Sequence, residues 1–396
     1  MGVRKLLMRQ ARTVLSTYSA DVFGVCSALY ELGGMIVMHD ASGCNSTYST
    51  HDEPRWYHSD SLVFISGLTE MEAIMGDDEK IINDMVSAIE DLHPAFAAVA
   101  GTPIPMLTGF DFEAVAAEVE NRTGIPCFGF ATNAMRSYLC GASEALELFA
   151  RRMTKENVPK RKNAINILGA TPLDFSLSGT VESIKKILEE AGWHVTGSWA
   201  MGSSLKELEN AGEAEVNLVI SSVGMKLAKA LKEKFGTPYV VGTPTGSDFT
   251  QKILDDLRKS AGDGIDRIAF SEFAPNAEKE KCFIIGESVT SRSLAAAVSM
   301  KTGITPAVVH TLEDLPELEG ILTPGDIHAM EEEEIQEACA EADIVTADPM
   351  YDPVMPAESV KIALPHEAFS GRIYRNDIPN MTKDDLINRI ADAISG

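Results

Sequence analysis

Cysteine is sparse in this chain, with six in 396 residues. That density is too low for a disulfide scaffold, and in a reducing compartment the thiols stay free. Some are then available for metal or cluster chemistry, and the others serve as small core residues. Long apolar runs are absent too. No stretch of 18 apolar residues occurs, so no transmembrane helix is expected. The longest uncharged stretch, Pro94 to Phe110, is broken by Gly, Pro and Thr. Basic residues are outnumbered, 34 against 59 acidic ones, for a formal net charge of -25. A polyanion repels phosphate backbones and anionic headgroups, so neither nucleic acid nor a membrane surface is an expected partner. The charge suits a soluble acidic protein, or one steered towards a basic partner. The opening Met1-Gly-Val-Arg-Lys lacks a secretory apolar run, and Leu6 breaks the myristoylation pattern, so a cytoplasmic location is expected. Neither G-x-G-x-x-G nor a P-loop occurs, which argues against nicotinamide binding or ATP hydrolysis by this chain itself.

What is present is a repeated alternation: a short apolar run, a Gly/Ser/Thr loop, then an amphipathic helical stretch. That order signals βα units and a mostly parallel sheet. The length predicts two or three domains, and the alternation falls into three blocks, 1–158, 159–275 and 276–396. The first holds strands at Met35–His39, Leu62–Ile65, Ala97–Ala100 and Cys127–Phe130, and a capping box at Thr69 and Glu72. Polar, basic Arg151–Asn163 reads as a linker. The second block holds strands at Ala164–Leu168, Val216–Ile220 and Tyr239–Val241. The third holds Cys282–Ile285, Ala307–His310, Ile344–Thr346 and Lys361–Leu364. The run Glu331–Glu334 reads as a solvated helix start, favoured by the helix dipole. The expected fold is α/β, with three Rossmann-like domains of mostly parallel sheet around a shared cleft. Ligand sites belong at the carboxyl ends of such strands, and here those ends carry small, polar residues in every block.

Two cysteines stand out by position. Cys26 lies in Phe23-Gly-Val-Cys-Ser-Ala, and Cys44 in His39-Asp-Ala-Ser-Gly-Cys-Asn-Ser-Thr-Tyr48. Iron–sulfur clusters need thiolates on short loops with backbone N–H groups directed at sulfur, and the Gly43-Cys44 turn suits that need. Two cysteines 18 residues apart also fit a plainer reading as small buried core residues. Cys127, Cys140, Cys282 and Cys339 read as core residues. The segment Thr50-His-Asp-Glu-Pro-Arg-Trp-Tyr-His58 mixes acid, base, imidazole and aromatic groups. It reads either as a contact for a partner or substrate, or as a hydrogen-bonded surface loop.

The stretch His39-Asp-Ala-Ser-Gly-Cys44 resembles the His-Gly-Pro-x-Gly-Cys element of nitrogenase component 1 proteins. Phe64–Lys80, Ile165-Asn-Ile-Leu-Gly169 and Leu364-Pro-His-Glu-Ala-Phe-Ser-Gly371 resemble further elements of that family. The likeness covers nearly the whole chain and is strongest over 21–145. It implies that Cys26 and Cys44 are cluster ligands, with Gly43 shaping the turn. The family's third cysteine is Thr102 here, so a full set of three thiolates is missing. That departure points to a smaller cluster, a four-iron four-sulfur one shared between two subunits. Ser221 or Ser222 stands where the family's active-site cofactor has its cysteine, so dinitrogen reduction is not expected. His366 falls near the family's histidine ligand and reads as a cleft residue or a structural histidine. Arg372 and Arg375 are candidates to hold an anionic substrate group. The implied function is a reductase subunit. It would relay low-potential electrons from an ATP-dependent iron–sulfur reductase protein, as a homodimer or beside a related component 1 subunit. A cofactor-assembly scaffold and a non-redox protein binding a metal chelate or tetrapyrrole are the alternatives.

Overall fold

The computed structural model describes residues 14–48, 52–276 and 281–396. Fourteen strands among these residues form three separate sheets, and every strand pair is parallel. The first sheet contains β1 (Met35–His39), β2 (Leu62–Ile65), β3 (Ala97–Gly101) and β4 (Cys127–Phe130), in the order β2-β1-β3-β4. The second contains β5 (Ala164–Leu168), β6 (His194–Ser198), β7 (Val216–Val219), β8 (Tyr239–Val241) and β9 (Arg267–Ile268), ordered β6-β5-β7-β8-β9. The third contains β10 (Cys282–Gly286), β11 (Ala307–His310), β12 (Ile327–His328), β13 (Ile344–Ala347) and β14 (Val360–Ala363), ordered β12-β11-β10-β13-β14.

The central strands β1, β3 and β5 are buried at every residue. Parallel strands are covered on both faces, which is why they read as continuous apolar runs. Three strands escape such a reading. β6 (His-Val-Thr-Gly-Ser) is too polar, and β9 and β12 are two residues each. The anticipated linker also begins too early, since Arg151 to Met153 complete the helix Tyr138–Met153.

Strand order decides where ligand sites sit. In each sheet the chain reverses direction of growth about one pair of strands: β1 and β3, β5 and β7, β10 and β13. Crevices open at the carboxyl ends of such pairs. Those ends lead into the 39–44 turn and Thr102, into Asp174 and Ser221-Ser222, and into Glu287 and Asp348. The helices Asp21–Leu29 and Tyr138–Met153 join the first crevice to the second. They cross at backbone contact, which Gly24 and Gly141 permit. A Cβ on Gly141 would lie 1.9 Å from the Asp21 carbonyl oxygen.

Candidate functional site

The first crevice receives the Gly43-Cys44 turn. Gly43 has φ 75 and ψ -130, a conformation that L residues adopt poorly, and the helix Cys44–Thr47 follows it. The Cys44 side chain lies outside the described residues, as do Thr50 and His51. Cys26 sits inside the helix Asp21–Leu29 and not on a loop, with no solvent exposure. Thr102 is buried at the end of β3, where its Oγ1 donates to the His39 carbonyl at 3.1 Å. The hydroxyl thereby ties the ends of β1 and β3 together. His39 is buried as well; its Nδ1 lies 2.8 Å from Ser66 Oγ, and burial lowers its pKa to about 4.

A charged cap lies over Cys26. Tyr48 stacks on Phe23 at 4.6 Å and donates its hydroxyl to Glu53 at 2.9 Å. Glu53 is in turn paired with Arg55 Nε at 2.6 Å. Arg55 also reaches Glu31 at 3.0 Å and the carbonyls of Ser27 and Ala200 at 2.7 and 2.8 Å. Burial would raise the Glu53 carboxyl, but the charge and hydrogen bonds of Arg55 win and hold it below the usual range. The Cys26 thiol has no such compensation. Burial pushes its pKa up strongly, and the Glu53 carboxylate adds to the shift. The 50–58 segment is thus built inward at Glu53 and Arg55, while Trp56, Tyr57 and His58 are exposed. Among the described residues no three His, Cys, Asp or Glu side chains form a metal-binding group. The described donors of one chain therefore do not complete a cluster.

The second and third crevices meet in one cavity of about 40 Å³. Asp174, Glu287 and His366 are its titratable lining, and Pro365 lines it too. Asp174 lies in the turn Pro172–Phe175, which Thr171 caps. Its Oδ1 accepts the Tyr138 hydroxyl and lies 3.2 Å from His366 Nε2. The His366 backbone N–H donates to Asp348 at 2.8 Å, and the Tyr18 ring meets the imidazole edge-on at 5.6 Å. Asp174 Oδ2 and His366 Nδ1 are buried without a hydrogen-bond partner. Glu287 accepts from the backbone N–H groups of Ser222, Val289 and Thr290 at 2.9, 3.0 and 2.8 Å, and from the Ser222 hydroxyl. Burial and the neighbouring Asp174 raise its pKa. Ser221 Oγ donates to the Gly169 carbonyl at 2.8 Å. Both serines at the expected cofactor position are therefore engaged, and no cysteine lines the cavity.

The structure brings His366 to the cleft but leaves the two arginines outside its lining. Arg375 forms a bidentate pair with Glu367, at 2.6 and 3.0 Å, and donates to the Asp52 carbonyl at 2.8 Å. Arg372, half exposed, pairs with Asp52 at 3.0 Å. Both arginines thus face carboxylates of this chain, Arg375 from a half-buried position and Arg372 from the surface. Ser370 is buried, with its hydroxyl 3.3 Å from the His366 carbonyl. Cys127, Cys140, Cys282 and Cys339 are buried, as core residues should be. Asp174, Glu287 and Tyr138 were not singled out by the sequence. The signal for the first two was their place just after strands that flank a reversal of strand order.

The family described as nitrogenase component 1 type oxidoreductase matches residues 21–349 of this chain. The nitrogenase iron-molybdenum cofactor biosynthesis protein NifE of Klebsiella pneumoniae is 26% identical over 216 residues, which cover 51% of this chain and 46% of that protein. The nitrogenase molybdenum-iron protein alpha chain of Clostridium pasteurianum is 26% identical over 205 residues, 51% of this chain and 38% of the relative. The chain thus spans less than half the length of these curated relatives. Among solved structures, nitrogenase Cp1 at pH 6.5 superposes with a TM-score of 0.70 at 14% identity, covering 98% of this chain and 94% of that one. At that identity the likeness speaks for the fold.

Proposed function

Since the chain belongs to the nitrogenase component 1 type oxidoreductase family, we propose that it is the substrate-reducing subunit of a nitrogenase-like reductase. In this reading a separate ATP-dependent iron–sulfur protein delivers low-potential electrons. Cys26 and Cys44 hold an iron–sulfur cluster, which would supply those electrons one at a time. The two cysteines offer half the thiolates that a four-iron cluster takes. A second copy, or a related subunit, completes the set across a twofold interface. Gly43 shapes the ligand turn, and Thr102 braces it through the His39 carbonyl.

The observation that carries this reading is the state of the cleft. It lies between two switch points, and Ser221 and Ser222 stand where a thiolate-anchored cofactor would need sulfur. Such a cavity suits a substrate, not a resident metal cofactor. His366 and Tyr138 share Asp174 Oδ1, so the group can hold a proton at the cavity wall. Arg372 and Arg375 act as positioning residues by holding Asp52, and with it the Glu53–Arg55 cap, against Glu367.

A scaffold for cofactor assembly is the second reading, and the likeness to NifE favours it. A protein that only holds a precursor would carry iron but not turn over. A non-redox chelate-binding protein would carry no cluster at all. The test is anaerobic purification followed by iron and acid-labile sulfide analysis, electron paramagnetic resonance, and mixing with a cognate reductase. Cluster iron, with loss of most of it and of the dimer in Cys44→Ser, is the expected result. A Cys44→Ser protein with full iron content rejects the cluster assignment. Iron without turnover leaves the scaffold.

A further inference from the structure

The interdomain cavity has a chemistry that the reductase reading does not itself specify. Its lining includes Asp174, Glu287 and His366 but no Lys or Arg. Glu287 is satisfied by three backbone N–H groups and the Ser222 hydroxyl. Asp174 is not. Its side chain is 1% exposed, Oδ1 serves both Tyr138 and His366, and Oδ2 has no partner. One carboxylate oxygen of the cavity lining therefore lacks a donor, a costly arrangement in an interior.

Several ligand classes are excluded on these grounds. A thiolate-anchored metal cluster finds no sulfur here, and both serine hydroxyls are committed. An anion meets two carboxylates, while Arg375 is taken by Glu367. A guanidinium seeks both oxygens of a carboxylate at once, but Oδ1 already has two donors. A compact ammonium needs one oxygen and brings three donors with its charge. The cavity of about 40 Å³ admits a head group of that size, or one or two waters. Phe175, Ile285, Leu364, Ile378 and Met381 supply an apolar wall beside it.

We propose that this cavity binds a primary ammonium group carried on an apolar body, with Asp174 Oδ2 as its acceptor. The binding does not rest on the function proposed above. The test uses the whole purified protein without any reductase. Thermal unfolding is followed in n-butylammonium chloride, tetramethylammonium chloride and sodium chloride at equal ionic strength. n-Butylammonium should raise Tm saturably, by ~2 °C or more once its concentration is several times Kd. Tetramethylammonium, which has no N–H, should match sodium. Asp174→Asn should lose the n-butylammonium response, and so should Thr290→Lys, which sets an ammonium into the cavity wall. The proposal is overturned if n-butylammonium does no more than sodium, as a cavity holding only water would give. Equal responses to the two ammonium salts overturn it also, as does a response retained in Asp174→Asn. Should that variant not fold, Thr290→Lys decides, and a retained response there counts against the site. Absence of a cluster would leave the amine response standing and would remove only the reductase reading. Iron and turnover without an amine response would remove only this proposal.

Discussion

At the scale of single residues, the cap over Cys26 is where the molecule concentrates buried charge. Glu53 and Arg55 are both buried, and Glu53 depends on Arg55 to remain ionised. Replacing a buried pair outright can be neutral, but removing one partner strands the other at a cost of ~3–5 kcal/mol. Arg55→Met should therefore lower stability to urea by about that amount. It also cuts the ties to Glu31, Ser27 and Ala200. A change below ~1 kcal/mol would mean that Glu53 takes up a proton at no cost. His39 makes a pH prediction. Its folded pKa, lowered to about 4 by burial, lies below the ordinary ~6.5. The unfolded chain therefore takes up the proton first. The stability linked to this group is complete above pH ~6.5 and drains away as pH falls towards 4. The loss is at most ~3 kcal/mol, less whatever relaxation of the site lets water in. In His39→Gln the urea midpoint should be flatter with pH across that window. An unchanged slope would place the acid sensitivity elsewhere.

At the scale of elements, the crossing of Asp21–Leu29 with Tyr138–Met153 aligns the two candidate sites. Gly24 and Gly141 each meet backbone of the opposite helix. Asp21 reinforces the crossing by accepting from the backbone of Ala134 at 2.8 Å and pairing with Arg136 at 3.2 Å. Tyr138 carries the contact on to Asp174. One methyl at Gly141 cannot be absorbed by a side-chain shift, because its neighbour is the Asp21 backbone. Gly141→Ala should cost ~2 kcal/mol or more as the helices separate. Gly192→Ala, with no neighbour within 4 Å but a positive φ, should cost only the backbone strain of ~1 kcal/mol. Chemical denaturation of the two variants makes the comparison. Equal losses would show that the crossing can open without penalty.

At the scale of the whole molecule, three all-parallel sheets with separate strand sets stand along the chain. We propose that they mark three domains, with boundaries near 158 and 275. Limited proteolysis read by mass spectrometry should place the first cuts close to those positions. First cuts inside the strand-bearing parts of a sheet would count against the division. Across the boundaries the contacts are extensive: one apolar core runs from the first sheet through the second and into part of the third. Unfolding should accordingly be cooperative between blocks, and calorimetry showing three independent transitions would contradict that. No helix among the described residues is long and apolar enough to cross a membrane.

Much of this architecture is legible in the order of residues alone. Strand positions follow from buried apolar runs, because a parallel strand covered on both faces has no polar side to show. The capping box at Thr69 and Glu72 is equally legible, since it is a local hydrogen-bond pattern. Cys26, Cys44 and His366 can be singled out from their neighbours in sequence. The partners of these residues cannot. Glu53 meets Arg55 over Cys26, Asp174 meets His366 across 192 residues, and Glu287 meets Ser222 across 65. Such meetings depend on the order of strands within each sheet and on how the sheets face one another. Local propensity and periodicity act over a few residues. The charge, burial and unfilled hydrogen bonds of the cavity arise only where chain segments far apart in sequence are packed together, and that the tertiary structure alone decides.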